Sequence, residues 1–184
     1  MKGLIPVVIF VLAVWPLIAV GQQWTVDKDK SNFTFTIKNA GLKATGSFQK
    51  YSFNIHFDPN NLASSKIVGE VFTESIATGI ALRDKHLKKE DYFDVAKFPV
   101  MKFVSYKILA TGKTGDYELH GSLVIKNTSK DIVIPFHYLN NGNIGIYSGR
   151  FSLNRIDFGV GSKSWTMSDT AEINFKINAH KTSE

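Results

Sequence analysis

The sequence contains no cysteine. That excludes disulfides, thiolate metal sites, a cysteine nucleophile, covalent c-type haem and a lipid-modified cysteine. Histidine is scarce. His56, His86, His120, His137 and His180 are scattered, and none has a second histidine at the i, i+2 or i, i+4 spacing of a zinc site. A G-x-S-x-G nucleophile elbow is missing, and so is a glycine-rich phosphate loop. Ser105 and Ser122 would need a distant histidine to become nucleophiles, and serines placed on strands are usually only that. Lysine and arginine (22) outnumber the acids (16), for a net charge of +6. The cations are dispersed and form no compact basic block, so nucleic acid is not indicated as a partner. The excess would suit an anionic membrane surface, but a solvated, lysine-rich exterior is the simpler reading.

Long apolar runs are confined to the N-terminus. Met1-Lys2 precedes an uncharged stretch from Gly3 to Val20, then Ala19-Val20-Gly21 and the polar pair Gln22-Gln23. A basic start, an apolar middle and a small-residue exit describe a signal peptide over residues 1–21, cleaved near Gly21. The alternative, an anchor helix over Leu4–Val20, sits at the short edge of what spans a bilayer and is interrupted by Pro6 and Pro16. The expectation is therefore a periplasmic or secreted protein without stable membrane insertion, with residues 22–184 as one domain. The chain of 184 residues is long enough to bury a sizeable core.

What remains alternates with a period of two. Phe33, Phe35 and Ile37 share one face against Thr34, Thr36 and Lys38. Leu42–Phe57, Ser64–Ser75, Val100–Leu109, Tyr117–Lys126, Asp131–Leu139, Ile144–Leu153 and Asp169–Ala179 repeat the rhythm. Turn chemistry separates them: Asn39-Ala40-Gly41, Asp58-Pro59-Asn60-Asn61, Gly112 to Gly115, and Asn140 to Asn143. About eight antiparallel strands at this spacing form a sandwich or a barrel, and closing them abolishes exposed edges. The expected fold is all-β: a single antiparallel β-barrel with one short helical excursion near residues 79–97. Lys, Glu, Asn and Ser occupy the outward positions, unlike the lipid-facing strands of an outer-membrane barrel. The apolar faces carry many of the chain's 14 phenylalanines. They either line a cavity for a long apolar ligand or meet and fill the core.

The excursion departs from the strand rhythm. Thr78-Gly79, Arg83-Asp84-Lys85-His86-Leu87, Asp91-Tyr92-Phe93-Asp94-Val95 and Phe98-Pro99-Val100-Met101-Lys102-Phe103 follow in order. Gly121-Ser122-Leu123-Val124-Ile125 with Thr128-Ser129-Lys130, and Leu153-Asn154-Arg155-Ile156-Asp157-Phe158-Gly159, come later. Together these motifs resemble those of the YceI-like, polyisoprenoid-binding, lipocalin-like proteins, and the similarity spans essentially the whole chain after the leader. Three positions depart from the pattern. Val124 replaces a threonine, Tyr92 replaces the first of two phenylalanines, and Lys30 stands where a histidine often precedes the serine. The resemblance implies an extended lipocalin-like barrel enclosing one isoprenoid-like chain, export, a homodimer, and no established enzymatic activity.

Two polar sets stand beside apolar residues: Arg83, Asp84 and His86 in the excursion, and Asn154, Arg155 and Asp157 later on. Arg–Asp pairing between them would pin the excursion to the barrel. Alternatively they contact a ligand head group, with Arg83 or Arg155 on a phosphate or phenolate and His86 or Asn154 on a hydroxyl or carbonyl. Phe93, Phe98 and Phe158 would border the mouth, and alternation turns Phe35, Phe53 and Phe103 inward. The functional expectation is an exported, non-enzymatic binding protein that sequesters or transports a polyprenyl chain or isoprenoid quinone, with no cofactor beyond that ligand. The competing expectation is a hydrolase acting on a small amphiphilic ester or amide in the same pocket.

Overall fold

The computed structural model describes residues 22–182, so the signal-peptide reading of 1–21 lies outside the described residues. In chain order the strands are β1 (Gln23–Asn39), β2 (Leu42–Phe48), β3 (Tyr51–His56), β4 (Lys66–Phe72) and β5 (Ile76–Ala77). The helix α1 (Ala81–Leu87) follows. Then come β6 (Val100–Ala110), β7 (Asp116–Ile125), β8 (Thr128–Asn141), β9 (Ile144–Asn154) and β10 (Met167–Lys181). Eight strands close a ring in the order β1, β3, β4, β6, β7, β8, β9, β10, with β10 paired back to β1. Every pairing is antiparallel.

The run Leu42–Phe57, one alternating stretch in the sequence, divides at Gln49–Lys50. Its first half, β2, pairs with the far end of β1, while β3 meets β1 at Gln23 and Trp24. The break is held by backbone and hydroxyl contacts: Gln49 N donates to Ser75 O at 3.1 Å and Lys50 N to Ser75 Oγ at 2.9 Å. The first strand extends well before its clean alternation at Phe33–Ile37, starting at Gln23. A register irregularity between Asp27 and Asn32 absorbs the charged Asp27–Lys30 segment, and Ser31 Oγ accepts from Asn178 N at 2.9 Å to carry the ladder across it. The β7–β8 turn is a tight two-residue turn. It comprises Lys126 and Asn127, with Lys126 at φ 54°.

The inward faces divide the barrel into two halves. At one end Trp24, Phe57, Tyr117, Phe136, Tyr138 and Tyr147 pack on one another. Phe57 is fully buried and meets Tyr117, Phe136, Tyr138 and Tyr147 edge to face at 4.9–5.7 Å. Offset and edge-on rings of this kind seal a core. Trp24 Nε1 donates to Phe57 O at 3.0 Å, which satisfies the one polar atom that the indole buries. The other half is built differently and contains the cavity.

Candidate functional site

Inside the second half, bulky rings stand beside glycines on neighbouring strands. Phe35 pairs with Gly46, Phe53 with Gly69 and Phe175 with Gly149. A β-carbon placed at Gly46 would lie 2.4 Å from Phe35 Cζ, and one at Gly149 would lie 2.6 Å from Phe175 Cζ. At Gly121 it would lie 2.3 Å from Phe103 Cζ, and at Gly69 2.9 Å from Phe53 Cε1. Each ring therefore lies down over the neighbouring strand in space that only a glycine vacates. Rings flattened against the wall leave the axis open.

The result is a cavity of about 260 Å³, lined by Phe33, Phe35, Phe53, Phe103, Phe151 and Phe175 together with aliphatic residues. A cavity of about 150 Å³ already admits benzene, so this space exceeds a packing defect. It is elongated. On β10 alone the lining runs from Met167 to Ile177, roughly 33 Å of strand and about 25 Å along an axis from which strands tilt by ~40°. Besides tyrosine hydroxyls, its polar lining consists of Asn39, Thr45, Thr78, Arg83 and Arg155. All of these except Arg155 belong to one rim, and Arg155 lies under the loop that borders it.

That rim is built from the excursion. A seven-residue helix is too short to persist alone, and α1 is held by Thr78. Asp84 Oδ1 accepts from Thr78 N at 2.9 Å and from Thr78 Oγ1. Arg83 donates through Nε to Thr78 Oγ1 and through Nη2 to Thr78 O, both at 2.7 Å. Leu87, Tyr92 and Phe93 face the cavity from this side, and Phe93 meets Phe48 edge to face at 5.6 Å. The far end is tied down by Thr73, which is buried and donates to Phe98 O at 2.9 Å. Phe98 itself is half-buried beneath Lys97 and is not part of the cavity lining.

The second polar set supports the other side of the same mouth. Arg155 is buried: Nε donates to Ser168 O at 2.9 Å, Nη1 to Val160 O at 2.9 Å and Nη2 to Ser162 O at 2.8 Å. Asp169 Oδ1 lies 3.4 Å from Nη2. Four of the five guanidinium N–H groups are thereby engaged, and the arginine staples the 156–168 loop. Asn154 Oδ1 accepts from Ile156 N at 3.0 Å and caps the short turn Ile156–Phe158. Asp157 pairs with Lys130 on the outer surface at 2.9 Å. His86 pairs with Asp91 at 3.0 Å, also exposed.

The two sets thus do not pair with each other across the mouth. Arg83 is engaged by its own neighbour Thr78, and Arg155 by Asp169 and loop carbonyls. Of the sequence-derived candidates, Arg83, Phe93, Arg155, Phe158, Phe35, Phe53 and Phe103 line the cavity. Asp84, His86, Asn154 and Asp157 do not. Ser105 Oγ accepts from Ile67 N at 2.8 Å beside a bulge in β6, and Ser122 pairs with Ser129 outside, so neither hydroxyl meets a histidine.

Three residues matter that sequence reasoning passed over. Thr78 organises α1. Lys126 donates to Glu90 O and Gly159 O, both at 3.0 Å, and so joins the excursion to the opposite loop. Tyr147 lies where the packed half meets the cavity. Its hydroxyl is the buried side-chain polar atom without a hydrogen-bond partner among the described residues. Burial first, then the neighbouring Tyr138, pushes its ionisation far above the ordinary tyrosine range. Tyr138 itself is pushed up to about 12, mainly by burial. The short T-G-x3-R-D spacing was a signal for the first residue. The other two depend on contacts distant in sequence.

A closed antiparallel barrel around an elongated apolar cavity, with a short helix at the rim, defines the lipocalin-like class of barrels. Within it the chain belongs to the YceI-like domain family, whose model matches residues 24–179. It is similar to a UPF0312 protein of Pseudomonas savastanoi pv. phaseolicola, 33% identical over 156 residues, with 77% of this chain and 78% of the relative covered. The crystal structure of Burkholderia cenocepacia BcnA superposes with TM-score 0.79 at 26% identity, covering 83% of this chain and 98% of that one. The YceI protein of Campylobacter jejuni gives 0.70 at 27% identity, covering 76% and 86%. A polyisoprenoid-binding domain from Saccharophagus degradans shares the fold, with TM-score 0.71 at 14% identity and 88% and 99% covered.

Proposed function

We propose that this protein is a non-enzymatic carrier or store for one isoprenoid-type lipid, a polyprenyl chain or an isoprenoid quinone, and that it works after export. The observation that carries the reading is the cavity wall, where phenylalanines lie flat over glycines and leave a long apolar channel instead of a filled core. Each methylene of a chain moved from water into such a space contributes ~0.8 kcal/mol before ordering costs. The fold shared with a polyisoprenoid-binding domain and the family membership support the same reading. Arg83 is the head-group residue of choice. It lines the cavity, and Thr78 engages two of its five N–H donors, which leaves three for a carbonyl, hydroxyl or phosphate oxygen.

The test is native mass spectrometry of the purified protein followed by organic extraction. One prenyl lipid per barrel supports the proposal. An empty barrel that also refuses quinones and prenols would end it. Arg83→Ala should reduce lipid retention while the hydrocarbon half of the cavity persists. N-terminal sequencing of the exported protein, expected to begin near Gln22, tests the cleavage.

A further inference from the structure

Three segments meet around the mouth: residues 38–47, 76–83 and 159–168. Ala40 N donates to Thr166 O at 2.7 Å, Asn39 pairs with Met167, and Ser47 pairs with Ala77. They carry Lys38, Lys43, Arg83 and Lys163, and the carboxylates just past their ends, Asp84 and Asp169, are held by Thr78 and Arg155. Lys38 and Lys43 sit directly opposite one another on β1 and β2, an arrangement that repels in an isolated sheet. Among the described residues neither has a carboxylate within ion-pairing distance, and nor does Lys163.

The same segments raise large apolar side chains into solvent. Leu42 is 76% exposed, Leu82 80% and Trp165 wholly so, with Ile80 beside them at 53%. Monomeric proteins rarely gather such groups without a partner. Cationic and apolar tips interleaved, with tryptophan among them, suit the boundary between head groups and acyl chains, where an amphipathic side chain satisfies both phases. A second copy is a poor occupant. In a two-fold interface this net-basic face would meet itself.

We infer that the mouth of the barrel docks on an anionic lipid bilayer, with Leu42, Leu82 and Trp165 entering the interface and Lys38, Lys43 and Lys163 on the head groups. This rests on the reading of the cavity as a lipid site, because the docked mouth would let an apolar chain pass from bilayer to barrel without crossing water.

The experiment is flotation with vesicles of phosphatidylcholine alone and with phosphatidylglycerol added, using the purified protein at low and physiological salt. Binding to the anionic vesicles, weakened by salt and accompanied by a blue shift of Trp165 emission, is expected. Lys38→Glu with Lys43→Glu should weaken it about tenfold or more. Leu82→Ser and Trp165→Ser should weaken it while leaving the circular dichroism spectrum unchanged. None of these four residues lines the cavity. No binding by folded protein, or binding indifferent to both sets of changes, overturns the inference. So does a monomer–dimer equilibrium that Trp165→Ser abolishes without any effect on vesicles, which would assign the patch to a second copy. Quinone uptake from detergent solution by the same variants separates the two readings. Uptake without vesicle binding removes the docking alone, and vesicle binding without uptake removes the lipid cargo alone.

Discussion

The two halves of the barrel use the same residue type to opposite ends. In the packed half, Phe57 has aromatic neighbours on four sides and no exposed surface. In the hollow half, Phe35, Phe53, Phe103 and Phe175 have glycines beside them and lie against the wall. The difference is not hydrophobicity. Nor is it glycine alone, since Trp24 lies over Gly145 in the packed half; there Tyr138 and Tyr147 meet the ring edge to face, whereas the axis beside Phe35, Phe53, Phe103 and Phe175 stays open. A strand pattern that reads as uniform core is therefore half core and half container.

The largest expected effect separates the halves by stability. Phe57→Ala should cost about 3–5 kcal/mol in urea unfolding, since the site is fully packed. Phe103→Ala should cost clearly less, because its ring already faces empty space on one side, and should change ligand capacity instead. Equal costs would show that the hollow half is packed in solution. Next in size, Gly121→Ala and Gly46→Ala should cost about 1–3 kcal/mol each. The new methyl groups would meet Phe103 and Phe35 and force the rings toward the axis; at Gly121 the methyl also meets Val104 O at 2.5 Å, so Gly46→Ala is the cleaner probe of the ring. Bound lipid should fall in parallel, and a protein that keeps its full lipid content would argue that the rings do not set the bore.

A smaller effect comes from the junction of the halves. Tyr147→Phe removes a buried hydroxyl that has no partner and should stabilise the empty protein by roughly 1 kcal/mol. Loss of lipid affinity in the same variant would instead make that hydroxyl a ligand contact. The packed half should also fail in alkali. Tyr138 and Tyr147 both ionise later in the fold than in the open chain, Tyr138 at about 12 against the ordinary 10. The unfolded state releases these protons first, so stability is intact below pH ~10 and declines as pH rises toward 12. Tyr147→Phe should flatten part of that decline, as followed by thermal melts between pH 9 and 12.

Legibility in the sequence tracked the range of the forces involved. Period-two alternation is local, so it turns Phe35, Phe53 and Phe103 toward the cavity and gives most of the strands; Leu42–Phe57 divides into β2 and β3, and β5, two residues long, is too short to show any alternation. The excursion stood out because charge replaced alternation there. The polar candidates were less legible. Asn154, Asp157, Arg155 and Asp84 look alike as charged neighbours of apolar residues. Yet one caps a turn, one pairs outside, one staples a loop and one anchors a helix.

By itself, the sequence determined the fold class, the aromatic supply and the family motifs, because backbone pairing and turn chemistry are written within a few residues. Only the tertiary structure decided that the barrel is hollow at one end. That outcome depends on which residue of one strand falls beside which residue of the next, and register across strands up to 157 residues apart, as for Trp24 and Lys181, is set when the ring closes.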